Sequence, residues 1–207
     1  VAHHIRVENS ANVFDVKTPT ETIYNIAFGL PGHHNLMNAL TALAMAYTYG
    51  TPTGSIAKAL ASFQGVQRRF SYQIKTPEKV YIDDYAHHPT EINAVHQAVR
   101  ELYPGKKVTA IFQPHLFSRT KDFIEGFAAS LSQFDEVILL DIYPARELPI
   151  EGVTSAWLMS KMTLTEVRLL SKEELRVQIP QINTPVLVTI GAGDIGEMVP
   201  EIKKIWA

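Results

Sequence analysis

Cysteine is absent from the 207 residues, so disulfides and thiolate metal sites are excluded. An excess of one charge is missing too: 19 basic residues face 21 acidic ones, for a net charge of −2. A non-specific nucleic-acid binder would carry a basic surplus, so no nucleic-acid partner is expected. No apolar run reaches the ~18 residues of a membrane span, so no membrane insertion is expected either. The start, Val1-Ala2-His3-His4, has neither the charged nor the apolar stretch of a signal peptide, and a cytoplasmic setting fits. No Gly-x-x-x-x-Gly-Lys-Ser/Thr phosphate loop occurs, and Gly191-Ala192-Gly193 lacks the third glycine of a dinucleotide fingerprint. An initiator methionine is also missing, from which the chain is expected to be a piece of something longer.

What is present suffices for a core: 46% of residues are hydrophobic, over a length suited to one large domain or one and a half ordinary ones. Residues 1–28 alternate in the manner of strands, with Asn12–Val16 and Thr22–Ile26 flanking the turn Thr18-Pro19-Thr20. After the breakers Gly29-Leu30-Pro31-Gly32, Asn35 is expected to cap a helix running to about Tyr49. Leu36, Leu40, Leu43, Ala44 and Tyr47 form its expected buried stripe, and Gly50 its stop. A second helix should reach Phe63 with Ile56, Ala59 and Leu60 inward. A hairpin with two helices makes a poor independent domain, so residues 1–65 read as the tail of one.

Residues 66–207 show a βα rhythm. Strands are expected at 70–75, 79–83, 108–112, 136–141, 166–170 and 186–190. Helices fit at 89–102, from a Ser118 cap with Phe123, Ile124, Phe127 and Leu131 inward, at 155–162, and at 172–179. Pro200 should end a short turn and start 201–206 afresh. This alternation, with continuous apolar strands such as Val137–Leu140, implies an α/β fold with a doubly wound, mostly parallel sheet.

Chemistry concentrates at two strand ends. Asp83-Asp84-Tyr85-Ala86-His87-His88-Pro89-Thr90-Glu91 sets carboxylates, a phenol and two imidazoles on one strand-to-helix turn, at the sheet edge where ligands bind. Phe112-Gln113-Pro114-His115-Leu116-Phe117-Ser118-Arg119-Thr120 repeats the pattern. Arg119 opposes the macrodipole of its helix unless the cation and the free N–H groups jointly hold an anion. His34 and Asn38 share one helix face, and an Asn amide can read an adenine edge. Arg69 follows the linker 64–67, where it could neutralise a nucleotide. Gly191-Ala192-Gly193-Asp194 would allow a ligand close to the backbone. His87, His88 and His115 with Asp83 or Asp84 leave a zinc or di-metal hydrolase open, and a non-catalytic nucleotide-binding module is a third reading.

These stretches, with Pro31–Ala39, Gly65–Phe70, Asp141–Ala145 and Gly191–Ile195, occur in an order and spacing that resembles the Mur ligase family, and within it the alanine-adding branch. The resemblance covers essentially the whole chain. It implies the end of a central ATPase domain (residues 1–65) followed by a Rossmann-like ligase domain (66–207). It implies ATP-dependent joining of L-alanine to the carboxylate of UDP-N-acetylmuramate through an acyl phosphate, in peptidoglycan precursor synthesis, with Mg²⁺ ligands mainly elsewhere. The fragment alone is expected to be inactive, and a monomer or weak homodimer. His34, Asn38 and Arg69 would serve adenine and phosphates, and Asp84 the ribose. Tyr85, His87, His115 and Arg119 would form the L-alanine pocket, with Arg119 on its carboxylate and His115, Arg119 and His87 as the catalytic set. Leu116 stands where the family often has a cation, and Arg146 where it often has glycine.

Overall fold

The computed structural model describes residues 1–8, 11–30 and 32–207, with the side chain of His34 outside the description, as is the expected breaker Pro31. It divides into two compact units, Val1–Val66 and Gln67–Ala207.

In the first unit, β1 (Ala2–Glu8), β2 (Ala11–Lys17) and β3 (Thr22–Phe28) form an antiparallel sheet in that order. The hairpin of β2 and β3 therefore has a third strand to join, which alternation alone did not separate. Phe14, Val16, Ile23, Ile26 and Phe28 pack against Leu36, Ala39 and Leu43 of α1 (His33–Thr48) and Ile56 of α2 (Thr53–Ser62). The α1 cap is Gly32 rather than Asn35, which lies buried in the first turn. The buried stripe also differs: Ala44 and Ala59 are exposed, and Leu40, Tyr47 and Leu60 are partly covered. Gly50 stops α1 as expected. At φ 93° it is left-handed, its N–H donating to Tyr47 O while Thr51 N–H donates to Ala46 O, the paired closure that satisfies the last carbonyls.

In the second unit, six strands line up as β4 (Ser71–Lys75), β5 (Val80–Asp84), β9 (Val186–Ile190), β6 (Val108–Phe112), β7 (Glu136–Leu139) and β8 (Val167–Leu169). β4 pairs antiparallel and all other neighbours are parallel. Strands β5, β6 and β9 are buried throughout, as parallel strands covered on both faces must be. One face is covered by α3 (Pro89–Leu102), α5 (Ile124–Leu131) and α6 (Ser155–Lys161), through residues such as Ile92, Phe127 and Leu158. The other is covered by α7 (Lys172–Gln178), a 3-10 turn (Ile179–Gln181) and α8 (Ile195–Trp206), through Leu175, Ile179, Met198 and Ile202. The helices after β5 and β6 thus lie opposite the helix after β9, which sits between those strands. That reversal makes a topological switch point, and the crevice beyond the strand ends is where such folds hold ligands.

Two helices depart from expectation. The helix after β6 starts at Phe117 and breaks at Phe123 into α4 (Phe117–Asp122) and α5. Phe123 does not turn inward; it is 42% exposed, its ring 4.6 Å from the His88 ring. The break brings Gly126 against Pro89, where an added Cβ would lie 3.0 Å from the proline ring. Pro200 does not interrupt α8. Loss of one helical hydrogen bond there is outweighed by the buried stripe of Ile195, Met198, Val199, Ile202 and Trp206.

Candidate functional site

The carboxyl ends of β5, β6, β7 and β9 supply one cluster. Its spine is a run of rings: Tyr85 edge-on to His87 at 5.4 Å, His87 to His115 at 6.3 Å, and His115 stacked on Tyr143 at 5.6 Å. His87 Nδ1–H donates to Tyr85 O (2.9 Å), leaving Nε2 as the acceptor of the neutral ring. Arg119 donates to His115 Nδ1 (3.3 Å). Desolvation, with Arg119 and His87 adding to it, holds the His115 imidazole below its ordinary pKa, while Glu147 pulls the other way. Tyr85, His87, His115 and Arg119 are therefore brought together. Among the described residues, no carboxylate lies within ion-pair distance of Arg119.

The two aspartates of the turn face inward. Asp83 is 1% exposed; it accepts from Thr189 Oγ1 (2.8 Å) and Arg68 Nε (3.1 Å). Burial pushes its pKa up. Asp84 is 4% exposed, and each of its oxygens accepts a backbone N–H at 2.7 Å, from Phe70 and from Ala86. Desolvation raises its pKa to about 6. A ribose hydroxyl at Asp84 would have to share an oxygen that an amide already holds. Asp84 is not the helix cap; His88 is, accepting from Thr90 N–H (3.3 Å).

Arg69 is exposed, with a loose pairing to Glu91 (3.9 Å), and Asn38 is exposed on α1, so both can meet a ligand. Among the described residues, no group of three or more His, Asp or Glu side chains is placed to hold a metal ion. The metallohydrolase reading thus has no donor set among those residues.

The glycines after β9 differ from expectation. A Cβ at Gly193 would lie 2.4 Å from Gln113 Oε1 and 2.7 Å from Tyr143 Cβ, and one at Gly196 would lie 2.5 Å from the Arg68 guanidinium. The room they leave is filled by the protein itself, not kept for a ligand. Gln113 bridges Asp194 Oδ1 (2.8 Å) and Ile195 N–H (2.9 Å). Arg68 donates to Gly191 O (2.6 Å) and lies 5.0 Å from the centre of the Tyr85 ring.

Three participants have contacts that sequence reasoning does not foresee, although Tyr143 lies in the stretch Asp141–Ala145 that the resemblance marks. Arg68, beside the candidate Arg69, reads as a solvated charge. Tyr143 enters through two backbone hydrogen bonds, Tyr143 N–H to Pro114 O (2.8 Å) and Leu116 N–H to Tyr143 O (2.9 Å), that only the fold creates. Glu147 accepts the Ser118 N–H (2.9 Å) and, closely, the Ser118 hydroxyl. These bonds hold the Glu147 carboxyl below the usual range. The anion expected at the start of α4 is thus partly supplied from within. Ala145 adopts φ 51° to make this return, a left-handed conformation no pattern would assign to alanine.

Residues 68–184 match the family model described as Mur ligase, glutamate ligase domain. Over 204 residues the chain is 68% identical to a UDP-N-acetylmuramate–L-alanine ligase of Flavobacterium johnsoniae, covering 99% of this chain and 45% of that protein. It is 70% identical over 204 residues to the ligase of the same name from Flavobacterium psychrophilum, covering 99% and 46%. The chain thus spans about half the length of the curated relatives it matches. In fold it is similar to UDP-N-acetylmuramate-alanine ligase MurC of Thermotoga maritima (TM-score 0.73, 24% identity, covering 99% of this chain and 44% of that one). It is equally similar to folylpolyglutamate synthase of Mycobacterium tuberculosis (TM-score 0.73, 15% identity, covering 97% and 46%). The family match takes in five of the six strands of the second unit and three of the four strand ends that build the cluster, and on that footing the chain belongs to the Mur ligase family.

Proposed function

We propose that this chain is the later part of an ATP-dependent ligase that joins L-alanine to the carboxylate of UDP-N-acetylmuramate, a step of peptidoglycan precursor synthesis in the cytoplasm. The observation that carries the reading is the convergence of Tyr85, His87, His115 and Arg119 at the switch point, with Arg119 lacking a carboxylate partner among the described residues. The names of the relatives at 68% and 70% identity support the choice of substrates. Residues 1–65 are assigned to a central ATPase domain and 66–207 to the ligase domain.

In this reading Arg119 takes the carboxylate of L-alanine, as a guanidinium suits a planar two-oxygen anion. The amine must lose a proton before it attacks an acyl phosphate. His115, whose imidazole desolvation and Arg119 hold below its ordinary pKa, and His87, whose Nδ1 is bonded to Tyr85 O, are the bases at hand. ATP would activate the muramate carboxylate, and Mg²⁺ would supply charge neutralisation there, with its ligands mainly outside this chain. The resemblance carries the assignment of His34, Asn38 and Arg69 to the adenine and phosphate side and of Asp84 to the ribose.

The test is phosphate release by the full-length protein carrying this sequence. Release that requires UDP-N-acetylmuramate, ATP and L-alanine together is expected. Release independent of L-alanine would overturn the proposal, and activity of the 207-residue chain alone would overturn its incompleteness.

A further inference from the structure

Glu147 has no assigned part in the site, yet it is bonded to the residue that precedes Arg119. The segment after β7 runs beside the segment after β6 through the Pro114–Tyr143 and Tyr143–Leu116 hydrogen bonds, and Tyr143 stacks on His115. Four residues on, Glu147 takes both the amide and the hydroxyl of Ser118. The first turn of α4, with Arg119 on it, is thereby pinned from the β7 side. α4 has only six residues and no side-chain cap of its own, and beside the bonds of Leu116 to Tyr143 and Thr120 it is Glu147 that takes the Ser118 amide in its first turn. Arg119 in turn is hydrogen-bonded to His115, so a shift of the turn alters both groups.

We infer that Glu147 is a positioning residue, which through Ser118 and the segment 143–147 sets the placement of Arg119 and His115 for the amino-acid substrate. The inference rests on the proposed L-alanine pocket and deepens it. A merely structural latch would, when cut, lower stability and weaken both small substrates alike. A positioning latch acts on one substrate and one imidazole. The negative charge of Glu147 also favours the protonated form of His115, giving a readout that needs no turnover.

The experiment has two arms. In the full-length protein, Glu147→Gln and Ser118→Ala are each expected to raise KM for L-alanine roughly tenfold, as loss of a hydrogen bond to a charged group does, with KM for ATP within about twofold. In the 207-residue chain, the NMR titration of the His115 ring is expected to fall in Glu147→Gln, which removes the carboxylate. Equal changes in both KM values, or an unmoved His115 titration in Glu147→Gln, would overturn the inference. If the parent protein shows no L-alanine-dependent turnover, the functional proposal falls instead, and the titration arm still decides whether Glu147 sets His115. Should Glu147→Gln fail to fold, Ser118→Ala decides through its KM split.

Discussion

The turn after β5 and the loop after β9 sit side by side at the same sheet edge, and both look like ligand sites in sequence. One is rich in imidazole and carboxylate, the other in glycine. Their structures are of opposite kinds. After β5, Tyr85 and His87 are partly open to solvent. After β9, the glycines are sockets for Gln113, Tyr143 and Arg68. The lesson is that a small residue marks a close approach without naming who approaches. An unpaired functional group at a strand end is the more specific sign.

The contrast can be broken in four ways, in falling order of effect. Gly193→Ala should destabilise the chain by about 3 kcal/mol, because the new methyl meets a buried amide and a ring, and thermal unfolding measures it. Were the loop open to a ligand instead, stability would barely change. Asp84 is next. Its carboxyl is raised to about 6 in the fold, above the unfolded value of about 3.9, so its favourable contribution is complete below pH 4 and is lost as pH rises through 6. A loss of order 2–3 kcal/mol between pH 4 and 7 should appear in denaturation curves and flatten in Asp84→Asn. Asp84→Asn should also be less stable throughout, since one of the two amides loses its acceptor. On the open turn's side, Arg119→Ala should raise KM for L-alanine about 30-fold while leaving KM for ATP and the melting temperature nearly unchanged. Equal effects on both substrates would refute the assigned role. Smallest is Arg69→Ala: its exposed pairing with Glu91 should change stability by less than about 0.5 kcal/mol, while ATP binding by the full-length protein weakens.

Much of the fold was legible, for a physical reason. β6 and β9 are buried on both faces, so Val108–Phe112 and Val186–Ile190 read as unbroken apolar runs, and their limits match the expected ones. β1 has no such face; its residues are almost all exposed, and periodicity cannot separate it. Pro200 and Phe123 misled because local preference yielded to packing: a buried stripe carries α8 past its proline, and contact with His88 and Pro89 sets the break before α5. The site divides the same way. Tyr85, His87, His115 and Arg119 stand at strand ends that composition marks. Glu147, Tyr143 and Arg68 act through contacts spanning 15 to 125 residues, and a linear pattern shows no sign of those pairings even where, as at Asp141–Ala145, it marks the stretch.

The place of β9 has a consequence for how the chain is made. Synthesis delivers it last among the strands, yet it lies between β5 and β6, and those two share no hydrogen bonds without it. Until residues 186–190 leave the ribosome, the second unit is two unjoined half-sheets, each with a bare apolar edge. A nascent chain in that condition waits for the insertion of β9, and loss of residues 186–190 would leave it waiting, a ready target for chaperones and proteases.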